Sequence, residues 1–232
     1  MAADASGPSS SAGDEPPLSD AQRALRAQLL ATEHWSLLAS RSTTQSEVLT
    51  RIAIFLTLVS AGLVSLGVLG NATGFRGWFG AAAIGVLLLL VLLGVITLVR
   101  TFNVATEDLM YVLAMNRLRG AYLDLDPGLA PYLLMAAEDD QSGASRTYHF
   151  LWERNVSVVF GSSMMIITVV TGVVAGLFAG GLVALAGAAG WVAVVVGAAT
   201  AIVLVVVVLR RGYRQYRRTF AEHVPLRRTP PA

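Results

Sequence analysis

Residues 156–209 read VSVVFGSSMMIITVVTGVVAGLFAGGLVALAGAAGWVAVVVGAATAIVLVVVVL, and from Asn155 to Leu209 the chain carries no ionisable side chain. Those 55 residues suffice for two membrane crossings and a turn, since a helix rises ~1.5 Å per residue and a hydrocarbon core is ~30 Å thick. A second such stretch lies upstream, where Arg76 is the only ionisable residue between Ile52 and Val99. Glycine-rich breaks at 70–77 and 181–190 divide the two stretches. The predicted spans are 52–69, 78–99, 156–180 and 191–209. The expected fold class is all-α: a polytopic membrane protein with four transmembrane helices as two hairpins, and cytoplasmic helical extensions.

Composition agrees. Of the residues, 55% are hydrophobic and 14% charged, where a soluble domain carries roughly a quarter charged. Cysteine is absent, which excludes disulfides, thiolate catalysis and cysteine metal sites. The expected organisation is a disordered tail (1–18), a cytoplasmic helical segment (19–51), the first transmembrane hairpin (52–99), a second cytoplasmic helical segment (100–155), the second hairpin (156–209) and a basic cytoplasmic tail (210–232). The opening residues are acidic and rich in Ser, Gly, Ala and Pro, unlike a cleavable signal with its basic start and apolar core.

Arginine sets the orientation. All 17 basic residues are Arg, and only Arg76 falls between spans one and two. The other Arg residues flank the opposite ends of the spans, which places both termini in the cytoplasm of a cell with an inner (plasma) membrane. Trp78 and Trp191 are expected at the outer interface and Trp152 at the inner one, as interface anchors. Net charge is uneven: −2 through Arg51, −3 over 100–155 and +6 after Leu209. The basic tail has two candidate roles. Arg210, Arg211, Arg214, Arg217 and Arg218 are candidates for binding lipid headgroups; alternatively the tail lies against the acidic central segment.

The cytoplasmic parts read as helices. Ser19-Asp20-Ala21-Gln22 is a capping box, followed by an apolar face of Ala21, Leu25, Leu29 and Thr32, widened by Ala24, Ala31 and Trp35, with Leu30 among the charges. Thr44-Gln45-Ser46-Glu47 predicts a fresh helix start leading into span one. Span two is expected to continue as helix through Tyr122, ending before the breaker Asp126-Pro127-Gly128. A shorter helix is expected over 130–138, an exposed loop over 138–143, and a last helix from about Ser145 into span three.

Gly172, Gly176 and Gly180 in span three, and Ala193, Gly197 and Ala201 in span four, recur every fourth residue. Such stripes let helix backbones approach closely, within the chain or between copies. Ala-Ser-Arg precedes each hairpin and Gly-Trp opens each second helix. That pattern reads as two copies of one unit and implies a four-helix bundle with approximate twofold symmetry.

Chemistry is sparse. His149 and Glu153 sit four apart, but two ligands do not make a metal site; His34 and His223 read as solvated. No phosphate-binding loop or nucleophile elbow occurs, and the spans hold no ionisable group of the kind that marks ion-coupled transport. Glu107, Asp108, Asn116, Arg117 and Arg119 are the best polar cluster for an enzyme, yet a solvated helix face accounts for the acids better. No cofactor, metal or nucleic acid is expected, and no enzymatic activity. The expected partners are the bilayer, further copies of the chain and a cytoplasmic protein.

The run from Arg100-Thr-Phe-Asn-Val to Met115-Asn-Arg-Leu-Arg-Gly-Ala-Tyr122, set between two hairpins, resembles small uncharacterised bacterial four-span membrane proteins. That resemblance implies a layout only. The first hairpin with its flanking helices is also similar to SLATT-type effector modules of bacterial conflict systems, which implies action by oligomerising and perturbing the membrane. The similarity covers about half of the chain, and four spans depart from the two-span pattern of those modules. The function expected is that of a self-associating membrane protein presenting a cytoplasmic helical platform to a partner; the alternative is an oligomeric channel or membrane-permeabilising effector.

Overall fold

The computed structural model describes residues 18–150 and 162–230. It is helical, with no strand among those residues, and four of its helices are long and apolar enough to cross a membrane. They are α1 (Asp20–Thr73), α2 (Phe79–Leu125), α4 (Ser163–Leu185) and α5 (Gly190–Glu222). A 3₁₀ turn (Pro127–Tyr132) and α3 (Gln141–Tyr148) lie between the two hairpins. The fold is consistent with a multi-pass integral membrane protein. Most of the tail expected at 1–18, the anchor Trp152, Glu153 and the start of the third span (156–161) lie outside the described residues.

α1 is one uninterrupted helix of 54 residues, about 80 Å long. Ser19 caps it as expected: its Oγ accepts from Gln22 N at 3.3 Å while Gln22 Oε1 accepts from Ser19 N at 2.9 Å. The second start expected at Thr44 is not used. No Gly or Pro lies between Asp20 and Ala61, and hydroxyls in this stretch bond back along the helix, as Thr43 does to the Ala39 carbonyl at 3.0 Å. The chain reverses at Gly74, Phe75 and Gly77, all at positive φ near 60°. The Phe75 ring folds back over Gly70, where a Cβ would overlap it.

α2 runs past the Tyr122 limit expected for it and is the centre of the fold. α1 and α4 both pack on it, meeting at Gly94, and α5 packs mainly on α4. The membrane-level core joins Ile52, Phe55 and Val59 of α1 to Leu87, Leu90 and Leu98 of α2 and Ile167 and Val174 of α4. Three buried threonines are satisfied locally: Thr97, Thr101 and Thr168 each donate to the carbonyl four residues back, at 2.6–2.8 Å, whereas the buried Thr171 hydroxyl has no partner among the described residues. The order is a row, α1–α2–α4–α5, and it departs from the twofold arrangement expected of a repeat. A twofold axis would match the α2–α4 contact with an equal α1–α5 contact, and the structure has none of that extent.

The small-residue stripes pack within the chain. A Cβ on Gly176 would stand 2.5 Å from the Gly197 carbonyl oxygen, one on Gly180 2.7 Å from that of Ala193, and one on Gly172 3.2 Å from that of Ala201. α4 extends to Leu185, five residues beyond the expected end of span three, and the second turn is correspondingly short. Both turns lie at the same end, since Gly80 abuts Leu185.

Gly176→Leu should force α4 and α5 apart at the backbone, costing about 1–3 kcal/mol and lowering the thermal midpoint of the detergent-solubilised protein. Gly67→Ala and Gly85→Ala, which would meet nothing within 4 Å, should not lower the midpoint and, as helix-interior replacements, should raise it slightly.

Candidate functional site

Beyond the spans, α1, α2, α3 and α5 build a second, smaller core of Leu109, Val112, Leu113, Met115 and Ala144, closed by Leu37, Tyr111, Tyr216 and Phe220. Polar groups line its edges. At the junction with the membrane layer, Arg100 bridges Glu47 of α1 (3.1 Å) and Glu107 (3.2 Å), and Arg51 pairs with Glu47 at 2.9 Å. One helical turn further out, Asp108 accepts from Arg41 Nε (2.6 Å), Gln45 Nε2 (2.7 Å) and Tyr148 Oη (2.6 Å). Asp108 therefore ties α1, α2 and α3 together. Asp108 is paired across helices and Glu107 along its own helix with Arg100, so the two do not form the solvated acidic face expected of them.

Asn116 is fully buried. Its Nδ2 donates to the Glu138 carbonyl at 2.8 Å, and its Oδ1 accepts from Arg119 (2.7 Å) and Thr147 (2.8 Å). One side chain thus joins α2, α3 and the segment leading to α3. Arg119 is 7% exposed, its other contact is the Met135 sulfur at 3.0 Å, and no carboxylate pairs with it among the described residues. Burial, then the charge of Arg41, pushes its guanidinium below the usual value. His34 is not solvated as expected: its ring lies beside Tyr122 and its Nδ1 is buried without a partner. Burial, followed by the Arg119 charge, holds the imidazole below its ordinary value.

The segment 133–140 corrects two expectations. It is not a helix over 130–138: Pro127–Tyr132 forms the 3₁₀ turn and the chain then runs without regular structure to Asp140. Nor is 138–143 an exposed loop. Asp140 caps α3 by accepting from Gly143 N at 2.7 Å, and the Glu138 carbonyl crosses Gly143 so closely that a Cβ there would overlap it.

Asp139 is fully buried and organises the C-terminal strap, residues 223–229. Its carboxylate accepts from Arg117 Nε, from Arg227 N at 2.8 Å and from Leu226 N at 3.2 Å. Its own N–H donates to the Arg227 carbonyl at 3.1 Å. His223 Nε2 lies 2.7 Å from the Asp139 carbonyl oxygen, so His223 too is docked, not solvated. Arg117 also donates to the Val224 carbonyl at 2.7 Å, Arg227 pairs with Asp124, and Thr229 donates twice to Asp140, at 2.7 and 2.9 Å. Burial alone would push the Asp139 carboxyl up, but Arg117 and the two backbone N–H groups outweigh it and hold the group below its ordinary value. Asp140 is lowered likewise, its bonds to Gly143 and Thr229 outweighing burial.

The tail thus splits between its two candidate roles. The strap lies on the acidic segment, whereas Arg210, Arg211, Arg214, Arg217 and Arg218 are all exposed on the C-terminal part of α5. Trp78 and Trp191, 63% and 71% exposed, open α2 and α5 at the turn end of the bundle. Among the described residues no group of His, Asp and Glu is arranged to hold a metal ion. Comparison with known proteins finds no matching family model, curated protein or solved structure.

Asp139→Asn should free the strap and destabilise this second core by roughly 2–4 kcal/mol, since a buried charge pair loses one member. Faster amide hydrogen exchange at 223–229 reports it. In the wild type, a carboxylate lowered on folding contributes stability that is complete above its unfolded value of about 3.9 and is lost as pH falls through the folded value. Strap protection should therefore be full at neutral pH and fall only in acid below about pH 4. His34, also lowered, should start a separate loss of stability as pH falls below about 6.5, and His34→Gln should abolish that part.

Proposed function

We propose that the chain is a non-enzymatic, self-associating protein of the cell's inner (plasma) membrane, with both termini cytoplasmic, and that its cytoplasmic helices form a platform for a protein partner. The observation that carries this is the outward face of α1. Ala27, Leu30, Ala31, His34 and Leu37 turn toward the fold, while Leu25, Leu29 and Trp35 are 58–70% exposed. Most of the apolar face that the sequence marks on this helix is thus left free, Ala31 excepted. Leu29 stands about 35 Å along the helix from Ile52, well clear of any bilayer surface the spans define. Large apolar side chains held there by a rigid helix are the usual mark of a protein contact. Tyr132 and Leu134, also strongly exposed, add to the apolar surface of the cytoplasmic part. The glycine stripes are used between α4 and α5, so self-association in this proposal runs through other surfaces, α1 first.

The test is gentle purification of the full chain and its intact mass. A complex heavier than one 24.5 kDa chain, lost in Leu25→Glu/Leu29→Glu/Trp35→Glu with helicity unchanged, is the expected result. A lone monomer with no companion rejects the platform, and dye leak from protein-loaded vesicles would favour a membrane-permeabilising effector. Orientation is checked separately. Because the chain lacks cysteine, Arg76→Cys should react with an impermeant thiol reagent on intact cells, and Ala232→Cys only after permeabilisation.

A further inference from the structure

Two sets of arginines differ sharply in their surroundings. Arg41, Arg51, Arg100, Arg117, Arg146 and Arg227 each pair with a carboxylate. Arg210, Arg211, Arg214, Arg217 and Arg218 are exposed, and none has an ion pair among the described residues. At 100° per residue these five fall within an arc of about 120° on α5. Tyr216 and Phe220, on the other side, close the cytoplasmic core. Tyr213, 64% exposed, borders the arc on one edge. Glu222, exposed and likewise unpaired, borders it on the other.

We infer that this face binds anionic phospholipid headgroups of the leaflet next to the end of the fourth span. Height along the helix supports it. Arg210, Arg211 and Arg214 stand about 1.5–7.5 Å beyond Leu209, inside a headgroup layer of roughly 5–8 Å per leaflet. Arg217 and Arg218 stand about 12–14 Å out, within a Debye length of ~8 Å from that layer. Guanidinium groups present paired N–H donors that match phosphate oxygens, and an exposed tyrosine at this depth suits the membrane–water interface. Most acids of the cytoplasmic part that could neutralise the face are engaged elsewhere: Glu47, Glu107, Asp108, Asp124, Glu138 and Asp139 all have arginine partners. The inner three arginines carry most of the affinity and the outer two less.

The experiment reconstitutes the full chain in vesicles of phosphatidylcholine mixed with phosphatidylglycerol, extracts it gently and counts retained lipids by native mass spectrometry. Phosphatidylglycerol should be enriched over its bulk share, and about 1 M salt should remove the enrichment, because exposed charges are then screened. At about fivefold per arginine near the surface, Arg210→Gln/Arg211→Gln/Arg214→Gln should lower the enrichment roughly tenfold or more. Arg217→Gln/Arg218→Gln should lower it less, and the corresponding triple Lys variant should keep most of it. No enrichment in the wild type overturns the inference without recourse to any variant. Equal enrichment in the Gln triple variant, or displacement of the lipid by millimolar inorganic phosphate, overturns it as well.

Discussion

The constraint on which the rest depends is the continuity of α1 and α2 across the membrane edge. In hydrocarbon every backbone N–H and C=O must be satisfied within its own segment, so the spans are helices. Here the helices do not stop where the hydrocarbon stops. Because α1 is unbroken, the side that meets α2 through Val48, Ile52, Phe55 and Val59 sets, turn by turn, the side that faces inward further out. Counting back in steps of three and four from Val48 gives Thr44, Arg41, Leu37, His34, Leu30 and Ala27, the less exposed positions of the extension. The second core is in this sense a continuation of the membrane-level core, and the Glu47–Arg100–Glu107 pairs sit at the seam where the apolar stripe gives way to a polar one.

A second dependence runs through Asp139. A buried carboxylate costs several kcal/mol unless its lone pairs are occupied, and here all three donors to it belong to the C-terminal strap or are shared with it. Arg117 holds both Asp139 and the Val224 carbonyl, and Arg227 gives its backbone to Asp139 and its side chain to Asp124. The strap, the 133–140 segment and α3 are consequently one cooperative unit, with Asn116 anchoring its base. Arg119 has no such compensation among the described residues: its contacts are an amide oxygen and a sulfur, neither of them charged.

The four helices and two hairpins were legible because absent charge and apolar length are sufficient conditions for a span. The end of α2 was legible at Asp126-Pro127-Gly128 for an equally local reason. What failed was set by distant contacts. The face of α1 is chosen by register inherited from the membrane, not by where apolar residues concentrate, so Leu30 turns inward and Leu25 outward. Thr44 has the residues of a helix start, but a cap is needed only where the preceding turn is broken, and nothing breaks it. Glu138-Asp139-Asp140 has the composition of a solvated loop, and only the arrival of a segment more than 80 residues later makes burial tolerable. The charge imbalance between the central segment and the tail was the one visible trace of that contact, and it could not say which arginines were involved.

The row of helices also accounts for why sequence symmetry between the hairpins is not carried into packing. α4 meets α5 backbone to backbone at Gly176 and Gly197, an approach open only to residues without side chains. α1 meets α2 through Phe55, Leu87 and Leu90, which hold the axes further apart. A hairpin of close-packed glycines and one spaced by large side chains differ in width, so they cannot exchange places about a common axis even where Ala-Ser-Arg and Gly-Trp recur. α4 instead uses its remaining face on α2, where Thr171 fills the notch at Gly94. α5 is left at the end of the row, the least buried of the four spans, with its valine-rich outer side toward lipid and its arginine face directly beneath.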